Sequence, residues 1–196
     1  MKLMRLAAVL TAASILLSGC ASDPLADQYR KGDNKNYIAG DGTVTEFTDA
    51  ASRKQSGNWT SITESGGVIS SADLKGQVVV LNFWYAGCAP CRAEAKDLQA
   101  IKDEFAGQGV QVLGVNVRDT APTILAFARN FELDYPSVVD AASGDVMLAY
   151  TGIVTPQAVP TTLVLDKNSG VSARILGRFD KGILRALIKT ALDEKG

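Results

Sequence analysis

Two residue types on which metal and haem sites depend are scarce in this chain. Histidine is absent, and the 196 residues include only three cysteines. A structural zinc site takes about four Cys, His or acidic ligands, and an iron–sulfur cluster takes about four thiolates. An attached c-type haem requires a histidine directly after the second cysteine of its motif, and that position is Arg92 here. We therefore predict no metal, no cofactor, and no mechanism that uses an imidazole base.

A surplus of basic charge is also missing. Lys and Arg number 20 against 21 Asp and Glu, which gives a formal net charge of −1. Such a balance creates no field that would attract nucleic acid, so nucleic acid is excluded as a partner. The 46% of hydrophobic residues is enough for one domain with a real core and short extensions.

No apolar run is long enough to cross a bilayer, which takes about 20 residues. The run at residues 6–17 follows a positively charged start and has the length of a signal-peptide core. It ends in the motif LSGC at residues 17–20, which resembles the lipobox of bacterial lipoproteins. That resemblance implies cleavage after residue 19 and attachment of lipid to the sulfur of Cys20. We predict a lipoprotein signal peptide at residues 1–19; an ordinary signal peptide with an incidental cysteine is the alternative.

Residues 20–36 are polar, rich in turn-forming residues and without periodicity. We interpret them as a flexible tether of roughly 20–25 Å, which keeps the domain at residues 37–196 close to the membrane. A lipid-anchored exported protein lies outside the reducing cytosol, where thiols tend to form disulfides. The predicted location is therefore the extracytoplasmic side of the cell membrane.

The order of predicted elements indicates an α/β domain. Two hairpins, at residues 37–47 and 59–70, precede a buried strand at 78–83 and a helix at 89–105. The apolar face of that helix is predicted from Ala93, Leu98, Ile101 and Phe105. The further elements are strands at 110–117, 138–139, 163–166 and 172–176, and helices at 122–131, 145–150 and 181–192. This order predicts a mixed sheet with helices on both faces and an N-terminal hairpin extension.

Cys88 and Cys91 lie where the buried strand gives way to the helix. A structural disulfide gains stability mainly by closing a long loop, and this pair would close almost none. The unsatisfied N–H groups and the positive dipole end of a helix favour a thiolate at its first residues. Pro90 suits the first turn, where its missing N–H costs nothing. The position therefore favours a redox-active pair, with a structural disulfide as the alternative.

Residues 79–94, VVLNFWYAGCAPCRAE, resemble the active-site segment of the TlpA/ResA-like branch of the thioredoxin superfamily. The similarity extends over about residues 56–192 and implies a thioredoxin-like fold. It implies that Cys88 is the nucleophile and the more exposed sulfur, and that Cys91 resolves the mixed disulfide. Glu94 matches a glutamate of the ResA-like group and is a candidate proton carrier for Cys91, with a solvated helix carboxylate as the alternative.

The resemblance also implies a substrate groove beside the two cysteines. Val159-Pro160 matches the cis-proline that faces the dithiol in this family, and the Val159 backbone is expected to pair with a bound peptide. Trp84, Ala89 and Pro90 complete the predicted groove, although Trp84 is also interpreted as a core aromatic beneath the site.

Two positions depart from the family pattern. Thioredoxin has a buried aspartate where this chain has Asn82, which cannot titrate, so a buried base is expected to come from Glu94. Many relatives have tryptophan where this chain has Gly87, which is predicted to widen the rim of the site.

The function that these resemblances imply is thiol–disulfide exchange on the outer side of the membrane. The predicted partners are protein thiols and disulfides, such as apocytochrome c or other exported proteins, and a membrane thiol–disulfide electron donor. The family and the anchor favour a reductant in cytochrome c maturation. A thiol oxidase or isomerase is the alternative, and a binding module with a structural disulfide is the third hypothesis.

Overall fold

The computed structural model describes residues 40–194. The predicted signal peptide, the lipidation site Cys20, the tether and the predicted strand at 37–38 lie outside these residues. Within 40–194, no helix is both long enough and apolar enough to span a membrane.

The described part of the chain alternates strands and helices after a short hairpin. The strands are β1 (Asp41–Glu46), β2 (Thr60–Ile62), β3 (Val68–Ser70), β4 (Val78–Trp84), β5 (Val110–Asn116), β6 (Ser137–Val139), β7 (Thr161–Leu165) and β8 (Val171–Gly177). The helices are α1 (Ala89–Glu104), α2 (Ala121–Phe131), α3 (Asp145–Ala149) and α4 (Lys181–Asp193), with 3₁₀ turns at Ala50–Ser52 and Ser71–Leu74. From β2 onwards the predicted elements are confirmed with small shifts at their ends.

Six strands form one mixed sheet in the order β1-β8-β7-β4-β5-β6. Strand β4 pairs in parallel with β5 and antiparallel with β7, so it lies at the centre. All seven of its residues are buried, as expected for a central strand covered on both faces, and Asn82 is the one polar residue among them. Helices α1 and α4 pack on one face, where Leu98 and Leu184 belong to one buried cluster, and α2 and α3 pack on the other. The site therefore lies at the end of a fully buried central strand.

The first predicted hairpin is wrong within the described residues. Asp41 and Gly42, in the middle of the predicted hairpin at 37–47, lie in β1, and β1 pairs with β8 of the main sheet. A lone two-stranded hairpin is marginally stable, whereas the edge of a large sheet offers a long ladder and a packed face. The second predicted hairpin is confirmed as β2 and β3, and the buried Trp59 packs beside it in the core.

The predicted apolar face of α1 is wrong at one position. Ala93 is exposed, and its neighbour Glu94 is buried with Leu98 and Ile101. A helix turns by about 100° per residue, so the positions that face the sheet are 91, 94, 95, 98 and 101. The helix therefore carries a carboxylate toward the sheet, on the same stripe as Cys91.

Candidate active site

Cys88 and Cys91 form a disulfide at the start of α1, with their Cα atoms 5.2 Å apart. Cys88 is the N-cap of the helix, and its Sγ accepts the N–H of Cys91 at 3.2 Å. Pro90 lies in the first turn, where no backbone hydrogen bond is lost. The helix dipole and the unpaired N–H groups therefore point at the sulfur that would carry negative charge after reduction.

The prediction that Cys88 is the more exposed sulfur is wrong for this disulfide state. Cys88 is 0% exposed, whereas Cys91 is 3% exposed. The position at a helix start predicted access, but a loop from later in the chain closes over it: the Val159 carbonyl oxygen lies 3.9 Å from Cys88 Sγ. The exposed residues on either side of Cys88 are Gly87 and Ala89.

The Val159–Pro160 peptide bond is cis, as the resemblance implied. It immediately precedes β7, which pairs with the end of β4 through Thr161 and Phe83. The Val159 N–H donates to the Gln157 carbonyl at 3.2 Å, so in this structure that amide is used within its own loop. The cis bond and the disulfide are brought together because β4 ends and its antiparallel neighbour β7 begins at the same edge of the sheet.

The predicted groove residues divide into two groups. Ala89 is exposed and Pro90 half-buried, whereas Val159, Pro160 and Trp84 are buried. The Trp84 ring lies 4.6 Å from that of Phe127, which makes it a core aromatic beneath the site rather than a groove wall. Gly87, Ala89 and Pro90 therefore offer surface beside the disulfide that a partner can touch.

The expectation that Gly87 widens the rim stays a prediction; Gly87 is exposed, with Tyr85 beside it. A Cβ atom placed on Gly87 would lie 3.2 Å from Cε2 of Tyr85, so the tyrosine ring already fills the adjacent space. The guanidinium of Arg118 lies 4.4 Å from the centre of that ring. The aromatic residue two positions before Gly87 was the signal in the sequence for this arrangement.

The turn before Cys88 is held by residues that sequence reasoning missed. Asp119 Oδ2 accepts the Ala86 N–H at 2.6 Å and an N–H of the Asn116 amide at 2.9 Å. The Asn116 side-chain oxygen accepts the Asp119 N–H in return, at 2.7 Å. Asn116 is fully buried at the end of β5. Polar residues where a strand ends, at 116 and 119, were the available signal.

This network predicts the effect of changing Asp119. We expect Asp119→Ala to lower the free energy of unfolding by about 1–3 kcal/mol, because the Ala86 N–H and the Asn116 amide lose a charged acceptor. Asp119→Asn keeps one acceptor oxygen, so its free energy of unfolding should fall by less. Urea denaturation of the oxidised proteins measures both values, and equal stability of all three proteins would contradict the assignment.

Glu94 is 1% exposed, so the alternative of a solvated carboxylate is wrong. Its Oε1 accepts a side-chain N–H of Asn82 at 2.8 Å, and its Oε2 accepts the backbone N–H of Phe179 at 3.3 Å. Burial raises the pKa of Glu94 from 4.5 to about 8, against the opposing effect of these two donors and of Arg178. A carboxyl with such a pKa can hold or release a proton near neutral pH.

Among residues 40–194, no group of three or more His, Cys, Asp or Glu side chains is placed to hold a metal ion. The site contains two sulfurs and, one turn further along the helix, a buried carboxyl.

A disulfide at the start of the helix that follows the central strand, opposite a cis-proline, defines a thioredoxin-like redox domain. The sequence matches the AhpC/TSA family over residues 51–174, and the chain belongs to that family. The fold prediction, a thioredoxin-like mixed sheet flanked by helices, is thereby confirmed.

Three relatives define the similarity more closely. Thiol-disulfide oxidoreductase ResA of Geobacillus kaustophilus is 36% identical over 110 residues, which cover 56% of this chain and 60% of that protein. A secreted thiol-disulfide isomerase from Corynebacterium glutamicum has 33% identity and a TM-score of 0.70, over 81% of this chain and 97% of that one. A DsbF homologue from Corynebacterium diphtheriae has 30% identity and a TM-score of 0.66, over 77% of this chain and 94% of that one.

These relatives bear out the prediction of a domain of the thiol–disulfide oxidoreductase class. Domains of this class act through a cysteine pair, which agrees with the prediction that the Cys88–Cys91 pair needs no cofactor.

Proposed function

We propose that this protein is a membrane-anchored, extracytoplasmic thiol–disulfide oxidoreductase of the ResA-like kind. In this proposal it reduces protein disulfides, including those of apocytochrome c before haem attachment. The observation that carries the proposal is the Cys88–Cys91 disulfide at the N-terminus of α1, beside the cis Val159–Pro160 bond. The similarity to ResA of Geobacillus kaustophilus supports the substrate class.

The reaction needs two electrons and uses both sulfurs. The reduced Cys88 thiolate attacks one sulfur of a partner disulfide and releases the other partner sulfur as a thiolate. Cys91 then attacks Cys88 Sγ, which restores the intramolecular disulfide and frees the second partner thiol. The partner gains two electrons and the dithiol loses them, and a membrane thiol–disulfide donor restores the reduced state.

Glu94 is proposed to accept the proton that Cys91 loses when it attacks. Its position one helical turn after Cys91 puts both side chains on the buried face of α1. With a pKa of about 8, its carboxyl is partly deprotonated near neutral pH and so can accept this proton.

The location is proposed from the lipobox-like motif that ends in Cys20. A relative that is described as secreted, the isomerase from Corynebacterium glutamicum, supports an extracytoplasmic place for the domain. Lipid on Cys20 and the tether at 20–36 would hold the domain within reach of membrane electron donors.

A thiol isomerase or oxidase for exported proteins is the second candidate function. The observation that favours it is the 33% identity to that same secreted thiol-disulfide isomerase, which covers more of this chain than the ResA match does. A binding module with an inert disulfide is the third.

A redox titration in dithiothreitol and glutathione buffers separates these functions. A reductant should equilibrate with a potential at or below about −270 mV, the value of thioredoxin, because it must donate electrons to partner disulfides. A potential near about −120 mV, as in the oxidant DsbA, would overturn the proposed direction. Failure of either cysteine to react in the folded protein would establish the binding module instead.

A further inference from the structure

Asn82 lies at the centre of β4 and is only 4% exposed. Both N–H bonds of its side-chain amide are used: one donates to Glu94 Oε1 at 2.8 Å and the other to Thr162 Oγ1 at 3.1 Å. Thr162 lies directly opposite Asn82 in the β4–β7 pair. Because an amide group is planar and both donors are engaged, its orientation is fixed by the sheet.

The two oxygens of Glu94 are held by different elements at different distances. Oε1 receives the Asn82 amide at 2.8 Å, whereas Oε2 receives the Phe179 N–H, between β8 and α4, at 3.3 Å. A carboxyl oxygen that takes up a proton becomes a donor and accepts poorly. The longer contact, at Oε2, is therefore the one that protonation disturbs least.

We propose that Asn82 is a positioning residue for Glu94, holding Oε1 as a permanent acceptor so that the exchangeable proton is carried on Oε2. The inference rests on the proposed role of Glu94 in thiol–disulfide exchange. A proton that leaves Cys91 forms an O–H bond on Oε2 and is released from that same oxygen afterwards. An amide is suited to this task because it donates at every pH and does not itself titrate.

The proposal predicts how Asn82 controls the titration of Glu94. A hydrogen bond to the charged form of a carboxyl lowers its pKa and is worth about 1.5–3 kcal/mol, which corresponds to about one to two pH units. Asn82→Leu removes the donor at nearly constant volume and should raise the midpoint by about that amount. Asn82→Ser, whose hydroxyl is too short to reach Oε1, should raise the Glu94 midpoint by a similar amount. It provides the test if the leucine variant does not fold.

Two measurements test this in the full chain. The carboxyl carbon signal of Glu94 is followed by NMR against pH, and the reduced protein is alkylated with iodoacetamide over the same range. Thr162→Ser, which keeps the hydroxyl partner of Asn82, is the matched control and should leave both midpoints unchanged. In a Glu94→Gln background, Asn82→Ser should produce no further change in the alkylation profile, because Asn82 acts only through the carboxyl.

The outcomes separate the inference from the proposed function. An unchanged Glu94 titration in both Asn82 variants, or an equal alkylation shift with and without Glu94, would overturn the positioning role. An alkylation profile that Glu94→Gln leaves unchanged, together with a shifted Glu94 titration in Asn82→Ser, would remove Glu94 from the exchange reaction and leave the positioning role standing.

Discussion

Replacing Cys88 with serine is expected to abolish thiol–disulfide exchange, with a loss of at least about 10³-fold in rate. The thiolate is the attacking species, and a serine hydroxyl is not ionised near neutral pH. The variant also lacks the dithiol that carries the two electrons, so it cannot give them up by closing an internal disulfide. The measurement is the rate at which the dithiothreitol-reduced full chain reduces a peptide disulfide.

Two matched variants make this result specific. Cys91→Ala keeps the attacking sulfur and lacks the resolving one, so it should accumulate a mixed disulfide that mass spectrometry detects, and the trapped partners show whether apocytochromes are bound. Cys20→Ser removes the third cysteine, outside the described residues, and should exchange at the unaltered rate. Exchange that survives in Cys88→Ser, or Cys91→Ala that gives no adduct, would refute the assigned roles.

Glu94→Gln is expected to remove most of a large pH dependence of stability. Burial raises the pKa of Glu94 from 4.5 to about 8. Between these pH values the folded state keeps a proton on Glu94 that the unfolded state releases. The contribution of this bound proton to the free energy of unfolding is therefore complete below pH 4.5 and is lost as the pH rises through 8. Between pH 5 and 9 the free energy of unfolding of the wild type should fall by about 3–5 kcal/mol more than that of the variant.

Urea denaturation of the oxidised proteins at several pH values measures this difference. Glu46→Gln, at an exposed position of β1, is the control and should keep the wild-type fall in stability. Parallel curves for wild type and Glu94→Gln would show that the carboxyl is ionised throughout and would exclude it as a proton carrier near neutral pH.

Most of the fold could be predicted because its signals are local. The buried run of β4, the helix that begins after Cys88 and the capped elements that follow each show in a short stretch of sequence. Strand β1 could not be predicted in this way, because its partner β8 is distant in the chain and only the sheet edge decides between the two pairings.

The residues of the site could likewise be predicted only where their signals are local in the sequence. The cysteines could be found because they lie in a short family motif. Pro160 could be found because it is a proline directly before a predicted strand. The burial of Cys88 and the donors to Glu94 depend on residues that are distant in the chain and are brought together by the fold. Glu94 was named from the motif, but that it is buried against Asn82 follows only from the packing of α1 on β4.

The pairing of β1 with β8 also sets the order in which the domain can be completed. A chain is synthesised from its N-terminus, so β1 is the first strand to emerge and its partner is the last. Arg53, shortly after β1, likewise contacts Asp166 and Glu194 near the other end of the described chain. Such distant contacts close late and slow folding. Until β8 arrives, β1 has no partner and β7 has one open edge, so a chain cut before β8 would expose an unpaired strand and an open sheet edge.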